Sequence, residues 1–190
     1  MGKENELKSG ESSYRRYLNG EKSEFDEIIK LYREPLVCFI KGYVKSDADA
    51  EDIAADTFVE LLIHPKRYSF KSSLKTYIFS IARHKACDFL RRKKREEFEF
   101  DENILCDIPS DFVTEEGILR EERSGIVRRA MMSLCSDYAE IIYLTYFEEL
   151  DTEEIMTVMH KNRRQISNLL YRAKAALKAI LENEGVVYDK

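Results

Sequence analysis

Seven side chains near the C-terminus have the types and spacing to read DNA. On an α-helix, Arg163, Arg164, Gln165, Ser167, Asn168, Tyr171 and Arg172 fall opposite an apolar stripe of Ile166, Leu169, Leu170, Ala173, Leu177 and Ile180. Arginine pairs with guanine edges, Asn or Gln with adenine, and Ser with phosphate. Lys161 to Lys178 holds six basic residues and no acid, so this face would not repel a phosphate backbone. A solvated basic face on a helical hairpin is the plainer alternative.

A second group mixes aromatics with bases. Tyr68, Phe70 and Tyr77 could stack on nucleobases while Arg83, Lys85, Arg91 and Arg92 track phosphates, a combination suited to single-stranded or melted nucleic acid. Aromatics at helical spacing also build cores, and basic residues at a helix end also complement the helix dipole. A third group is the acidic stripe Asp49, Asp52, Asp56 and Glu60 at i, i+3 and i+4 steps. With no His or Cys in the same helix it does not complete a metal site; it suits a solvated face or a basic protein partner.

Catalytic constellations are missing. His64, His84 and His160 lie in unrelated contexts, and there is no Gly-rich phosphate loop or HExxH motif. No enzyme activity and no cofactor are expected. Cys38, Cys87, Cys106 and Cys135 form no CxxC pair and have no zinc-like spacing with His, so reduced thiols are expected.

The elements that must position these groups are helical. Seven glycines, three prolines and no tryptophan in 190 residues disfavour turn-rich β folds. Residues 1–20 are polar, without a signal-peptide core, and read as a mobile arm. Helical periodicity begins at Glu24, with a kink or break expected at Pro35. Ser46-Asp47-Ala48-Asp49 starts the acidic helix, whose apolar side reads Ala50, Ile53, Ala54, Phe58, Leu61 and Leu62, and Pro65 ends it. His64 to Ser73 is a loop, capped by Ser72 or Ser73 into a helix from Leu74 to about Arg95. Residues 96–117 carry Pro109 and many acids and read as a flexible linker. Helical pattern resumes near Glu115. Asp151-Thr-Glu-Glu154 and Asn162-Arg-Arg-Gln165 are capping-box patterns that open two short helices, separated by His160 and Lys161. Two capped helices, a tight turn and a basic second helix make a helix-turn-helix.

The formal net charge of −5 is a poor guide, because charge is segregated. Arg83 to Arg95 holds seven bases and one acid; Glu96 to Glu122 holds eleven acids and one base; Asp47 to Glu60 holds six acids and no base. Such blocks suggest at least two partner surfaces of opposite sign. No apolar run approaches the ~20 residues of a membrane span, so a cytoplasmic protein is expected.

Three stretches in order resemble one family. Asp49-Ala-Glu-Asp-Ile-Ala-Ala-Asp-Thr-Phe-Val-Glu-Leu-Leu62 is similar to the polymerase-binding helix of extracytoplasmic-function (ECF) sigma factors. Ile81-Ala-Arg-His-Lys-Ala-Cys-Asp-Phe-Leu-Arg-Arg92 resembles the family's IARNKAxDxLRR helix, and Leu150–Leu177 its promoter-reading helix-turn-helix. Departures are Tyr77 where Trp is common, His84 for Asn, and His160 where the turn usually holds Gly. The resemblance implies two all-α domains: region 2 over residues 21–95 and region 4 over 118–185. It implies that Asp49, Asp52, Asp56 and Glu60 dock on a basic coiled coil of the largest polymerase subunit, with the flap as a further contact. Arg67, Tyr68, Phe70, Lys71, Tyr77, Arg83, His84, Lys85, Arg91 and Arg92 would capture the melted non-template strand of the −10 element. Arg163 to Arg172 would read the −35 duplex, the linker would pass near the RNA exit path, and an anti-sigma factor is an implied partner. A stand-alone helix-turn-helix regulator is the rival reading; it has no use for the acidic helix. A helical adaptor would need neither basic helix.

Overall fold

The computed structural model describes the backbone of residues 3–44, 46–100 and 121–183, with side chains at 10–44, 46–95, 125–127 and 129–183. The described residues form eight α-helices and one 3-10 turn, with no strand among them: α1 Lys3–Leu18, α2 Glu24–Lys41, α3 Asp47–Ile63, the turn Pro65–Arg67, α4 Leu74–Phe100, α5 Glu121–Met132, α6 Ser136–Tyr146, α7 Thr152–Met159 and α8 Arg163–Asn183. Helices α1 to α4 pack as one group and α5 to α8 as a second, and α4 also packs on α7.

Local chemistry sets the boundaries. Ser46 caps α3 by accepting the Asp49 N–H on its side chain, and acids fill the first turn where the helix dipole favours them. Ser73 Oγ accepts the Thr76 N–H at 3.1 Å and so caps α4. Asp151 and Glu154 close a full capping box on α7, with Glu154 N–H to Asp151 Oδ1 at 2.9 Å and Asp151 N–H to Glu154 Oε2 at 3.0 Å. Asn162 and Gln165 do the same for α8.

The first core is aromatic and aliphatic. Tyr14, Ile28, Leu36, Phe39, Ile40, Leu61, Leu74, Ile78 and Phe79 are fully buried. Each large side chain so buried contributes about 1.5–3 kcal/mol relative to exposure. In the second group Ile141, Leu144, Val158, Met159, Ile166 and Ala173 are buried around the helix-turn-helix.

Several expectations need correction. The stretch expected to be a mobile arm is helical over Lys3–Leu18. On this helix Tyr14 is completely buried against α3 and the loop that follows it, its hydroxyl donating to Leu61 O and Pro65 O at 3.5 and 3.1 Å. Polar composition hid this, because one buried tyrosine with satisfied hydrogen bonds anchors the helix. Gly10 permits the close approach of α1 to α2, since a Cβ there would collide with the Tyr32 hydroxyl. Pro35 does not break α2, which runs through it. The helix is held on either side of Pro35 by the buried Tyr32, Leu36 and Val37, and the Pro35 carbonyl accepts the Tyr143 hydroxyl at 2.9 Å. Helix α4 runs to Phe100, five residues into the stretch expected to be linker; the rest of that stretch, and Cys106, lie outside the described residues. Leu62 belongs to the exposed side of α3, at 45% exposure, not to its core side.

Candidate nucleic-acid and polymerase interface

The outward face of α3 is mixed rather than acidic. Asp52 and Asp56 are exposed, and Val59, Leu62 and Ile63 share that side at 47%, 45% and 61% exposure. These positions fall at i, i+4, i+7 and i+10/i+11, one continuous stripe. The apolar half carries no periodic signal of its own, because Val59, Leu62 and Ile63 follow the buried Phe58 and Leu61 so closely that the end of α3 reads as apolar on every side. Asp49 and Glu60 lie at the margins, half-buried. Glu60 is committed within the protein: its carboxylate takes the Arg67 guanidinium and has His64 Nε2 at 3.9 Å. One residue expected to meet polymerase and one expected to meet DNA are therefore each other's partners, fixing the loop to the end of α3.

That loop is built on rings. Tyr68 is buried and its hydroxyl donates to Ser72 O at 2.7 Å. It stacks on Tyr77 (centroids 5.1 Å), meets Phe70 at 4.5 Å and Tyr14 edge-on at 5.5 Å. Burial raises the pKa values of Tyr68 and Tyr77, so both stay neutral. Tyr68 thus serves the loop's own packing, while Phe70 and Tyr77 are only part-buried and Arg67 and Lys71 are exposed. Phe70 has φ 57°, a left-handed conformation that costs a non-glycine residue energy and must be held by its neighbours.

Along α4, Tyr77, His84 and Arg91 recur every seven residues on one stripe, with Arg92 and the bases after it exposed. Asp88 on that stripe holds both His84 Nδ1 (3.3 Å) and Arg91 (2.7 Å), fixing their direction. Lys85 is half-buried. Arg83 is set apart. It lies on the stripe of Thr76, turned to α6, where its Nε donates to Glu140 Oε1 at 2.8 Å.

The Arg83–Glu140 pair sits in an interface between the two helical groups that the sequence did not foretell. The Glu140 side chain is fully buried, and Arg83 keeps 18% of its side-chain exposure. Burial pushes the Glu140 carboxyl above the usual carboxylate range, although Arg83 opposes the shift. The carboxylate lies beside the Tyr43 hydroxyl without alignment for a proper hydrogen bond. A second buried pair joins Lys75 to Glu148 at 2.8 Å. The α7 capping box takes part too: Glu154 Oε2 serves its own helix, while Oε1 accepts the hydroxyls of Ser73 and Thr76 at 2.8 and 3.0 Å. Tyr143 packs on Phe39 with centroids 6.0 Å apart. Nothing in the pattern marked Glu140, Glu148 or Glu154, since acids on an amphipathic helix read as solvated.

The helix-turn-helix presents its expected residues outward. Arg163, Arg164, Gln165, Ser167, Asn168, Tyr171 and Arg172 are all exposed, Tyr171 at 78%. Gln165 spends its side-chain carbonyl on the Asn162 N–H, and Ser167 Oγ donates to Arg163 O at 3.0 Å. Arg164, Asn168, Tyr171 and Arg172 are the ones left unengaged by described neighbours; Arg163 has Glu153 at 3.9 Å. His160 closes the turn at φ 51°, ψ 42°. An L-residue pays about 1–2 kcal/mol there, partly regained against glycine's extra chain entropy. Since His160 is exposed, His160→Gly is expected to stabilise the protein by about 0.5–1 kcal/mol, read as a higher unfolding midpoint in urea.

Among the described residues no cluster of His, Cys, Asp and Glu could hold a metal ion, and no helix is long and apolar enough to cross a membrane.

Comparisons with known proteins agree with this division. The family models for sigma-70 region 2 and sigma-70 region 4 match residues 28–96 and 124–177. The ECF RNA polymerase sigma factor SigM of Bacillus subtilis is 28% identical over 161 residues, covering 85% of this chain and 96% of SigM. SigW of the same organism is 22% identical, covering 86% and 92%. Among solved structures, the sigma factor RpoE in complex with the anti-sigma factor NepR from Bartonella quintana superposes with a TM-score of 0.68 at 20% identity, over 84% of this chain and 97% of RpoE. CnrH in complex with the cytosolic domain of CnrY gives 0.65 at 18%, over 92% and 98%. With two sigma-70 regions in order on one helical scaffold, the chain belongs to the ECF sigma factors of bacterial RNA polymerase.

Proposed function

We propose that this protein is a dissociable, non-catalytic polymerase subunit that directs core RNA polymerase to specific promoters. It reads the −35 element as duplex and captures the −10 element as it melts. The observation that carries this reading is the exposed acid-and-apolar face of α3 beside two basic helices in one chain. A stand-alone regulator needs the helix-turn-helix alone.

The exposed groups support the following division of roles. Asp52, Asp56, Val59, Leu62 and Ile63 form the polymerase face, with apolar area for affinity and carboxylates for orientation toward a basic surface. The loop 64–73 and the stripe Tyr77, His84, Arg91 meet the melted strand, where flipped bases stack on aromatics and phosphates meet cations. Arg163, Arg164, Asn168, Tyr171 and Arg172 meet the −35 duplex in the major groove. The working place is the cytoplasm, where polymerase is. RpoE was captured with the anti-sigma factor NepR and CnrH with the cytosolic domain of CnrY, and an anti-sigma factor is the expected regulator here.

Run-off transcription with core polymerase and genomic fragments tests the whole: promoter-specific transcripts are expected on adding the protein, and failure to co-purify with core polymerase would sink it. Within the −35 reader, Arg164→Ala is expected to weaken promoter binding by ~1–3 kcal/mol if it bridges a guanine. Quantitative binding to duplexes mutated one base pair at a time checks this; an equal loss on every sequence reassigns Arg164 to phosphate.

A further inference from the structure

Helix α1 lies outside the residues matched by the sigma-70 region 2 family, yet it builds the strand-facing loop. Three of its residues, Glu11, Tyr14 and Arg15, reach the loop. The Tyr14 hydroxyl donates to the backbone carbonyls of Leu61 and Pro65, at the end of α3 and the start of the loop. The Tyr14 ring meets Tyr68 edge-on and lies 6.2 Å from Phe70. Glu11 lies beside the Tyr68 hydroxyl. The Arg15 guanidinium sits over the Phe70 ring, 4.3 Å from its centroid.

Arg15 is the informative one. It is exposed, so holding the core together is not its job. It is the cation that covers a ring whose backbone is in a left-handed conformation at φ 57°. A planar guanidinium on an aromatic face fixes the ring in direction as well as position. It also adds an exposed positive charge beside the loop, of the kind that meets a phosphate backbone.

We propose that α1 is a working part of the −10 site: Tyr14 is a positioning residue for the loop 64–73, and Arg15 holds Phe70 in its strand-capturing orientation while adding a phosphate-facing cation. This rests on the reading of the loop as the strand-capturing element. It makes the N-terminal helix, and not the region-2 bundle alone, a determinant of how firmly melted DNA is held.

The test uses holoenzyme assembled from core polymerase and the full chain, a fluorescein-labelled single-stranded oligonucleotide carrying the non-template −10 sequence of a promoter found by run-off transcription, and permanganate to mark unpaired thymines on the matching duplex promoter. Arg15→Ala is expected to weaken oligonucleotide binding about tenfold and shorten the life of the melted complex, with core binding and −35 duplex binding unchanged. Tyr14→Phe keeps the ring and removes both loop-fixing hydrogen bonds; it is expected to lower oligonucleotide affinity several-fold. In a Phe70→Leu background Arg15→Ala should add little, since the ring it acts through is gone; full additivity would overturn the proposed route. Oligonucleotide affinity of Arg15→Ala within twofold of the wild type would overturn the proposal while leaving the loop's role intact. Absence of binding by the wild-type holoenzyme would remove the strand-capturing reading itself and this proposal with it.

Discussion

Replacing Asp52 and Asp56 by lysine is expected to abolish association with core RNA polymerase while leaving the unfolding midpoint nearly unchanged. Both carboxylates are exposed on α3. Other acids of that helix have local partners: Asp47 with Lys41, Glu51 with Arg33 and Glu60 with Arg67. Asp52 and Asp56 pair with no described residue, so the fold loses nothing when they go; exposed substitutions of this kind stay within about 0.5 kcal/mol. Binding is another matter. Setting lysines against a basic partner surface costs several kcal/mol in like-charge contact, a loss on the order of a thousandfold. Leu62→Asp supplies a second arm, because it attacks the apolar half of the same stripe without reversing an existing charge. Size-exclusion co-elution with core polymerase, alongside urea unfolding, separates the outcomes. Unchanged co-elution of the Asp52/Asp56 double variant would make the stripe a solvated face and return the stand-alone regulator to consideration.

The parts of this surface that are legible in the sequence share one property: their signal is local. Capping boxes at Asp151–Glu154 and Asn162–Gln165 involve residues three apart, so the helix-turn-helix and its outward residues stand out from spacing alone. The acidic stripe and the basic end of α4 are runs within one helix, equally visible. What stays hidden depends on distant partners. Tyr14 gains its meaning from Pro65 and Phe70, more than fifty residues away, so α1 reads as a loose polar arm. Tyr68 reads as a stacking platform because an aromatic amid bases has the same composition whether it faces solvent or its own core. Glu140 reads as one more solvated acid until α4 is laid against α6. Leu62 reads as core because periodicity cannot separate an apolar residue that packs inward from one that waits for a partner.

Arg83→Ala is expected to detach the C-terminal helices from the region-2 bundle. Glu140 is fully buried in that interface, and Arg83 is its counter-charge. Removing one member of a buried pair leaves the other charged and desolvated, at about 3–5 kcal/mol. The helices of each group also pack among themselves, so the cheapest relief is to undock rather than unfold. Pairing Arg83→Ala with Glu140→Leu removes the stranded charge and should restore docking. Small-angle scattering and the distance between spin labels on α2 and α8 report the change; Arg83→Ala as compact as the wild type would show that the apolar contacts around Tyr143 and Phe39 suffice alone. The pH dependence has a definite sign. The docked-state pKa of Glu140 lies above its value in the open chain, chiefly through burial. The docked form therefore binds protons more tightly. Its stability gains as pH falls from the raised value toward the ordinary carboxylate range, and the gain is lost as pH rises back through the raised value. The same experiment bears on DNA. Arg83 lies on α4 one residue from His84, on the stripe next to the one offered to the melted strand, and Glu140 holds it in the docked form. The Nε–H of Arg83 is committed to Glu140 in the docked form, so docking of the C-terminal helices competes with use of Arg83 on promoter DNA. Undocking by Arg83→Ala exposes the rest of α4, Lys75 with it, but removes Arg83 itself. The undocked variant that keeps it is Glu140→Lys, which sets two like charges face to face.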